Sequence, residues 1–293
     1  MGIDKTTFTA KVVEREIALA KKVIDARTMV HDRSAELQGD EEALKIPSIT
    51  VGAVVSMPTT DAAFANTDTI NSQITLTLDS DFGKPFEVGA SAQVETNVAL
   101  LDIFAFNAEQ AHRANRNKII FTAIATAADT ANQHYKYADT TDDIISQEDI
   151  LAAAALLDNA GAPDEDRFMA IRASDHSDLF KIPDFISRDK MGHLGETIPT
   201  NVIGMVHGFT VVKVPDAQMP YINASTGAPH ASTGQKAVLF WQRFVCAYGG
   251  HIYQLGGPEY KAALDADWYN LHAKFGVDTQ VATFAVTYRE NTE

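Results

Sequence analysis

One long helical pattern constrains the fold of this chain more than any other feature. It runs from about Asn97 to Ala131, and apolar residues recur along it at helical spacing without an internal glycine or proline. A continuous helix of this extent would span roughly 50 Å at 1.5 Å per residue, about three times the mean length of a globular helix. The middle of the pattern is polar, from Glu109 to Asn117.

An unusually long extended segment precedes this helix. Residues 48–58 are strand-like but interrupted by glycine and proline, and residues 59–69 show no periodicity, which is typical of a loop tip. A loop this long is uncommon inside a compact domain. We therefore expect a subunit that completes its core with neighbouring copies, and self-assembly is the first functional hypothesis.

The end of the extended segment contains a clear strand. Ile74, Leu76 and Leu78 alternate with polar residues, which predicts a half-buried strand. Gly83 and Pro85 then predict a turn, after which residues 86–88 return as a short strand.

The rest of the chain mixes helices and strands. Residues 8–26 form an amphipathic pattern, and Ser146 with Asp149 predicts a capping box for a helix that Gly161 ends. Strands are predicted at residues 167–173, at 237–248 as a buried strand or strand pair, and at 281–288, where apolar residues mostly alternate. The sequence therefore predicts an α+β fold.

Composition and charge exclude several classes of function. The 293 residues are 45% hydrophobic and carry a formal net charge of −15, so binding of nucleic acid through a basic surface is not expected. Residues 139–189 hold thirteen acids and four bases, a net of −9, whereas residues 1–46 are nearly balanced. No apolar run reaches the ~20 residues that a membrane helix needs. The single cysteine, Cys246, excludes an internal disulfide and lies in an apolar stretch typical of a buried structural thiol.

A search for catalytic and metal-binding residues gives only weak candidates. Asp175, His176 and Asp178 have suitable side chains for a metal-dependent hydrolase, but their spacing matches no established motif. We therefore predict no catalytic, metal or cofactor site. A small basic patch on the long helix contains Arg113, Arg116 and Lys118. Ion pairs with a neighbouring subunit are favoured over contact with a phosphate backbone, because three charges in an acidic chain are a weak nucleic-acid signal.

The order and spacing of these elements resemble a known family. The stretch "TDTINSQITLTLDSDFGKPFEVGASAQVET" and its long helix are followed by "ILAAAALLDNAGAPDEDRFMAIRASDHSDLFKIPDF" and by a bend at Gly204, Gly208 and Phe209. This order is similar to that of the major capsid proteins of tailed bacteriophages, the Hong-Kong-97-type fold, which encapsulin nanocompartments share. The resemblance covers about residues 8–288.

The resemblance implies a division of the chain. Residues 1–46 correspond to the N-arm and 47–80 to the E-loop, an extended β-hairpin. Residues 81–132 and 256–293 correspond to the peripheral domain with the spine helix, and 133–255 to the axial domain. Eight residues are expected at subunit interfaces, namely Val12, Ile17, Phe64, Ile74, Leu76, Leu78, Arg113 and Arg116.

The resemblance also implies a function and partners. Many copies would form the pentamers and hexamers of an icosahedral shell that encloses double-stranded DNA in a virion, assembled in the host cytoplasm. A separate scaffolding protein, a portal protein and a decoration protein are the expected partners, without cofactor or membrane. Residues 48–81 contain no lysine, so covalent cross-linking through this loop is not expected. The alternatives are an encapsulin-like cellular shell and the hydrolase considered above.

Overall fold

The computed structural model describes residues 24–37, 43–50, 69–89, 99–128, 135–137, 145–182, 202–223, 228–230, 234–262 and 266–290. The two α-helices in these ranges are α1, Ala99–Ala127, and α2, Gln147–Asn159. The strands are β1 His31–Asp32, β2 Ala43–Thr50, β3 Thr69–Thr77, β4 Ser80–Gly89, β5 Tyr135–Tyr137, β6 Arg167–Arg172, β7 Val202–Val206, β8 Phe209–Val214, β9 Tyr221–Ile222, β10 Pro229–His230, β11 Ala237–Gln242, β12 Cys246–Lys261, β13 Ala266–Thr279 and β14 Ala285–Arg289. The predicted α+β class is confirmed.

The predicted long helix is present as α1. It has 29 residues, so it spans about 43 Å. Its C-terminal half supplies Ile120, Phe121 and Ile124 to the main core, and its polar middle is also buried. Among the described residues, no helix combines the length and the apolar character needed to cross a membrane.

Two sheets organise the chain around this helix. The larger has six strands in the order β5-β14-β11-β6-β8-β7, and the smaller has four in the order β1-β12-β13-β4. Side chains of β11 alternate between two cores: Leu239 and Trp241 join the core that contains α1, whereas Val238 and Phe240 join the core that contains α2. The six-stranded sheet is thus covered on both faces, which explains why every residue of β11 is buried.

The capping box of α2 is confirmed. The Ser146 side chain accepts a hydrogen bond from the backbone N–H of Asp149, and the Asp149 side chain accepts one from the backbone of Ser146. After the helix, Gly161 has a φ of +74°, a left-handed conformation that glycine adopts at little cost. The strand predicted at residues 167–173 follows as β6.

The turn predicted at Gly83 and Pro85 is wrong. Both residues lie inside β4, which pairs with β13 along its length, with Pro85 opposite Asn270. Because β4 is an edge strand, a proline there need not remove a hydrogen bond between strands.

The last strand also differs from the prediction. The sequence predicts this strand from residue 281, but Ala282–Phe284 form a short 3-10 helix and β14 begins at Ala285. The alternation within β14 is present, since Val286 and Tyr288 join the core that contains α2 and Ala285 joins the core that contains α1. β14 lies between β11 and β5 in a sheet that is covered on both faces, so all five of its residues are buried. Residues 285–289 therefore share a sheet with the 133–255 region, although the resemblance assigned 256–293 to the unit that holds the spine helix. β12 runs through residue 256 without a break in the strand. The division into named domains stays a prediction.

Candidate assembly site

The residues that lead into the two segments expected to contact neighbours are the candidate functional site. The first group, residues 24–37, is here called the strap. Its Ala26 and Val30 are fully buried in the core beside α1. The Trp241 Nε1–H donates to the carbonyl of Met29 at 2.9 Å, and β1 within the strap pairs in parallel with β12. The strap is therefore part of the folded body.

Asn117 joins the strap to the spine helix by side-chain hydrogen bonds. Asn117, fully buried on α1, accepts a hydrogen bond from the Ala26 N–H at 3.0 Å through its Oδ1. Its Nδ2 donates to the Ile24 carbonyl at 3.0 Å and to Gln218 Oε1 at 2.9 Å. In the sequence, Asn117 stands out only as part of the polar middle of the helix. A signal was present, because Asn117 shares a helical face with the buried Ile120 and Phe121.

The basic patch on α1 forms ion pairs within the chain. Arg113 is 7% exposed and its Nη2 lies 3.3 Å from Glu109 Oε1. Arg116 is 4% exposed and its Nη2 lies 3.0 Å from Asp25 Oδ1 in the strap. The partners found for both arginines are therefore acids of the same subunit, where the sequence favoured acids of a neighbour. Ion pairs this buried depend on both partners, since removing one leaves a charge without its counterpart.

A buried histidine completes the polar middle of α1. His112 places Nε2 2.8 Å from the Leu271 carbonyl on β13, which fits an Nε2–H donor. Burial lowers the pKa of His112 below the ordinary 6.5, with Arg116 and His272 acting in the same direction, while the Leu271 carbonyl and Glu109 oppose the shift. The neutral form of this side chain is thus the one that suits the folded subunit.

The second group is the two-stranded ribbon formed by β2 and β3. The predicted alternation is confirmed: Leu76 and Leu78 are buried, Ile74 is half-buried, and the intervening Thr75 and Thr77 are exposed. Leu76 packs in a small cluster with Ile46 and Ala247, so this apolar face is used inside the subunit.

The interface role of these residues stays a prediction, as does that of Arg113 and Arg116. Val12, Ile17 and Phe64 lie outside the described residues, as does most of the amphipathic pattern at 8–26.

Several exposed apolar side chains form further candidate contacts that the sequence did not reveal. Among the described residues, six large ones are between 38% and 59% exposed: Phe104, Leu151, Phe180, Met205, Phe244 and Tyr260. Met205 lies on β7, an edge strand of the six-stranded sheet, where fewer neighbouring strands are available to cover its side chain.

The three candidate hydrolase residues each contact a different neighbouring side chain. Asp175 is nearly buried, and its Oδ1 accepts a hydrogen bond from Lys236 Nζ at 2.6 Å. His176 packs edge-on against Phe180 with ring centroids 4.9 Å apart. Asp178 forms an ion pair with Lys181 at 3.3 Å. In the part of the chain that is described, no three or more His, Cys, Asp or Glu side chains gather where they could hold a metal.

Cys246 is the buried thiol that the sequence indicated. It is fully buried in the core beside α1, and burial raises its pKa to about 12. A thiol with such a pKa is almost entirely protonated at neutral pH and is a poor nucleophile.

Comparison with known proteins identifies the fold. No protein-family model matches the sequence, and no curated protein matches it either. The capsid structure of the cyanophage P-SCSP1u is similar with a TM-score of 0.65 at 12% identity, covering 90% of this chain and 87% of that chain. The capsid of Ralstonia phage GP4 is similar with a TM-score of 0.66 at 12% identity, covering 89% of this chain and 86% of that chain. The crystal structure of a virus-like particle from Pyrococcus furiosus is similar with a TM-score of 0.57 at 10% identity, covering 98% of this chain and 100% of that chain.

These likenesses extend over most of both chains in each pair. About nine-tenths of this chain is covered by each of the two phage capsids. At such low sequence identity these similarities establish the fold and not the roles of individual residues. This chain has the capsid fold of tailed bacteriophages, the Hong-Kong-97-type fold that the order of its elements predicts.

Proposed function

We propose that this chain is the major capsid protein of a tailed bacteriophage, whose copies form the pentamers and hexamers of an icosahedral shell around double-stranded DNA. The observation that carries the proposal is the likeness to solved phage capsids over about nine-tenths of the chain. Because one fold can host several functions, the proposal also draws on the surfaces of this subunit.

The surfaces of the subunit suit assembly. A two-stranded ribbon is at best marginally stable when it stands alone, so β2 and β3 profit from any neighbour that covers their outer edges. The six exposed apolar side chains offer area that a second copy can bury. Obligate assemblies commonly bury several thousand Å² in total. We infer that association stabilises regions that the isolated subunit leaves partly uncovered.

The charge of the chain suits an enclosing shell. With a net charge of −15, the subunit is repelled by a polyanion on average. A shell of such subunits can hold densely packed DNA without binding it tightly. The enclosed DNA is therefore proposed to be held without sequence-specific contacts.

The remaining partners follow from the proposal. We propose a separate scaffolding protein for assembly in the host cytoplasm, a portal protein, and a decoration protein that reinforces the finished virion.

The experiment that tests the function is expression of the chain alone and with a scaffolding protein, followed by electron microscopy. Closed shells support the proposal. Monodisperse single subunits under both conditions contradict it.

Deletion of residues 59–69 gives a second test. We expect the deletion variant to fold but to form few or no shells, because this segment is proposed to contact an adjacent subunit. Circular dichroism checks folding, and particle counts check assembly. Intact particles of normal size and heat resistance would contradict this role of the segment.

A cellular shell is the second candidate function. The solved virus-like particle from Pyrococcus furiosus matches this chain over 98% of its length, although with a lower TM-score than the two phage capsids above. A cellular compartment would assemble without a scaffold and would recruit an enzyme by a short peptide. Shells that form without scaffold and co-purify with one host enzyme would favour it.

A further inference from the structure

Two glycines face each other where the ribbon joins the four-stranded sheet. Gly249 on β12 and Gly276 on β13 are directly paired in the antiparallel register. Directly opposed residues of such a pair point to the same face. Both positions are buried, and the missing side chains leave a notch in that face of the sheet. We call this pair the glycine seat.

The end of the ribbon occupies the glycine seat. A Cβ built at Gly276 would lie 2.0 Å from the backbone oxygen of Thr77, and one at Gly249 would lie 2.8 Å from Leu76 Cδ2. Ordinary contacts begin near 3.4 Å. The chain therefore passes over β13 so closely that no side chain fits beneath it, and β4 enters the sheet immediately afterwards, with Ser80 opposite Phe275.

The two glycines differ in what they touch. At Gly276 the obstacle is main chain, which moves only if the ribbon itself moves, by about 1.4 Å to reach ordinary contact. At Gly249 the obstacle is the tip of the fully buried Leu76 side chain, and Leu37 Cδ1 would lie 3.2 Å from the added Cβ. A Cβ at Gly249 is therefore tolerated once Leu76 is shortened, whereas a Cβ at Gly276 is not.

We propose that the glycine seat sets the angle at which the β2–β3 ribbon leaves the subunit, and through that angle the geometry of assembly. This proposal rests on the proposed shell-forming function for its second half. β3 has nine residues, so it is about 30 Å long and converts a small shift at its root into a larger one at its far end. Gly249 and Gly276 are accordingly positioning residues for assembly.

The first test measures the angle in the soluble subunit. Spin labels are placed on cysteines introduced at Thr50, at the end of β2 far from the glycine seat, and at the exposed Glu148 on α2, while the buried Cys246 stays unlabelled. We expect Gly276→Ala to shift the distance between the labels by several Å, and Gly249→Ala to shift it less. Adding Leu76→Ala should restore the distance in Gly249→Ala but not in Gly276→Ala. Leu76→Ala alone provides the reference.

Gly83→Ala is the matched control. Gly83 lies in the same sheet, and the three atoms nearest to its added Cβ all belong to the end of the Asn270 side chain, the nearest at 2.9 Å. We expect the control to keep the distance of the parent. Equal distances in all variants, or equal rescue of both glycine variants by Leu76→Ala, would contradict the proposal that the glycine seat sets the ribbon angle. If Gly276→Ala does not fold, the Gly249→Ala pair decides the question by rescue or its absence.

The second test counts closed particles by electron microscopy under the conditions in which the parent assembles. We expect Gly276→Ala to lose at least ten-fold in normal closed particles, and Gly249→Ala to regain them with Leu76→Ala. If the ribbon angle shifts and the particles stay normal, the link from seat to assembly is wrong. If the parent forms no shells, the proposed function is wrong. The distance measurements still test whether the glycine seat sets the ribbon angle.

Discussion

Replacing Asn117 by alanine tests whether the spine helix holds the strap in place. The side chain makes three hydrogen bonds, to the Ala26 N–H, the Ile24 carbonyl and Gln218. Alanine keeps the helix, since it is the best helix former. It removes every one of these bonds at once. The two backbone groups of the strap then lose their partner in a region where Ala26 is fully buried and Ile24 nearly so.

The expected loss follows from the number of groups left without a partner. A buried donor or acceptor that loses its hydrogen bond costs about 1–3 kcal/mol. Two backbone groups therefore cost about 2–6 kcal/mol, even if Gln218 finds water. This is a large share of the roughly 5–15 kcal/mol by which a domain is stable. We expect most of the loss to appear as easier opening of the strap, because only its attachment changes.

Hydrogen exchange on peptides that cover residues 24–37 measures this opening. A loss of about 2 kcal/mol corresponds to roughly thirty-fold faster exchange in the strap. The control is Asn115→Ala, the same change on the same helix at a half-buried position. Unchanged protection of the strap in Asn117→Ala, or equal acceleration in both variants, would show that the hydrogen bonds do not hold it.

Three further predictions concern buried groups. Arg172 donates to the carbonyls of Asp216, Met219 and Pro220. Arg172→Leu should lower the melting temperature by several degrees or more, because each hydrogen bond from a charged donor is worth about 1.5–3 kcal/mol; an unchanged value would contradict this. Because the folded pKa of His112 is lowered from 6.5, its contribution to stability is complete above pH ~6.5 and falls as the pH drops towards the lowered value. The free energy of unfolding, measured by denaturation at several pH values, should show this loss. The loss should be smaller in His112→Gln. Cys246, with a pKa of about 12, should react with thiol reagents only after unfolding; rapid labelling of the native subunit would contradict its burial.

Local patterns predicted the elements whose cause is local. The long helix, the capping box at Ser146 and the alternation around Leu76 all depend on residues a few positions apart, and each is present as predicted. The order of these elements was enough to indicate the capsid fold. Gly83 and Pro85 misled because their turn propensity is overridden by pairing with β13, a strand nearly two hundred residues away.

The candidate site depends on contacts that no local pattern contains. Arg116 has its acid partner ninety-one residues earlier in the chain, in the strap. The charges were visible in the sequence, but their partners were not, so an intermolecular pair was the natural inference. The glycine seat is hidden for the same reason, because Gly249 and Gly276 acquire a shared role only through strand register.

Both segments expected to contact neighbours are rooted on one small sheet. The strap enters it through β1, which pairs with β12, and the ribbon rests on β12 and β13 at the glycine seat. The two roots nearly touch, since a Cβ at Gly249 would meet Leu76 of the ribbon and Leu37 at the end of the strap. Packed side chains transmit displacement because protein interiors have little free volume. We therefore expect a change at either root to displace the other, so strap exchange and ribbon angle should change together in variants of this sheet.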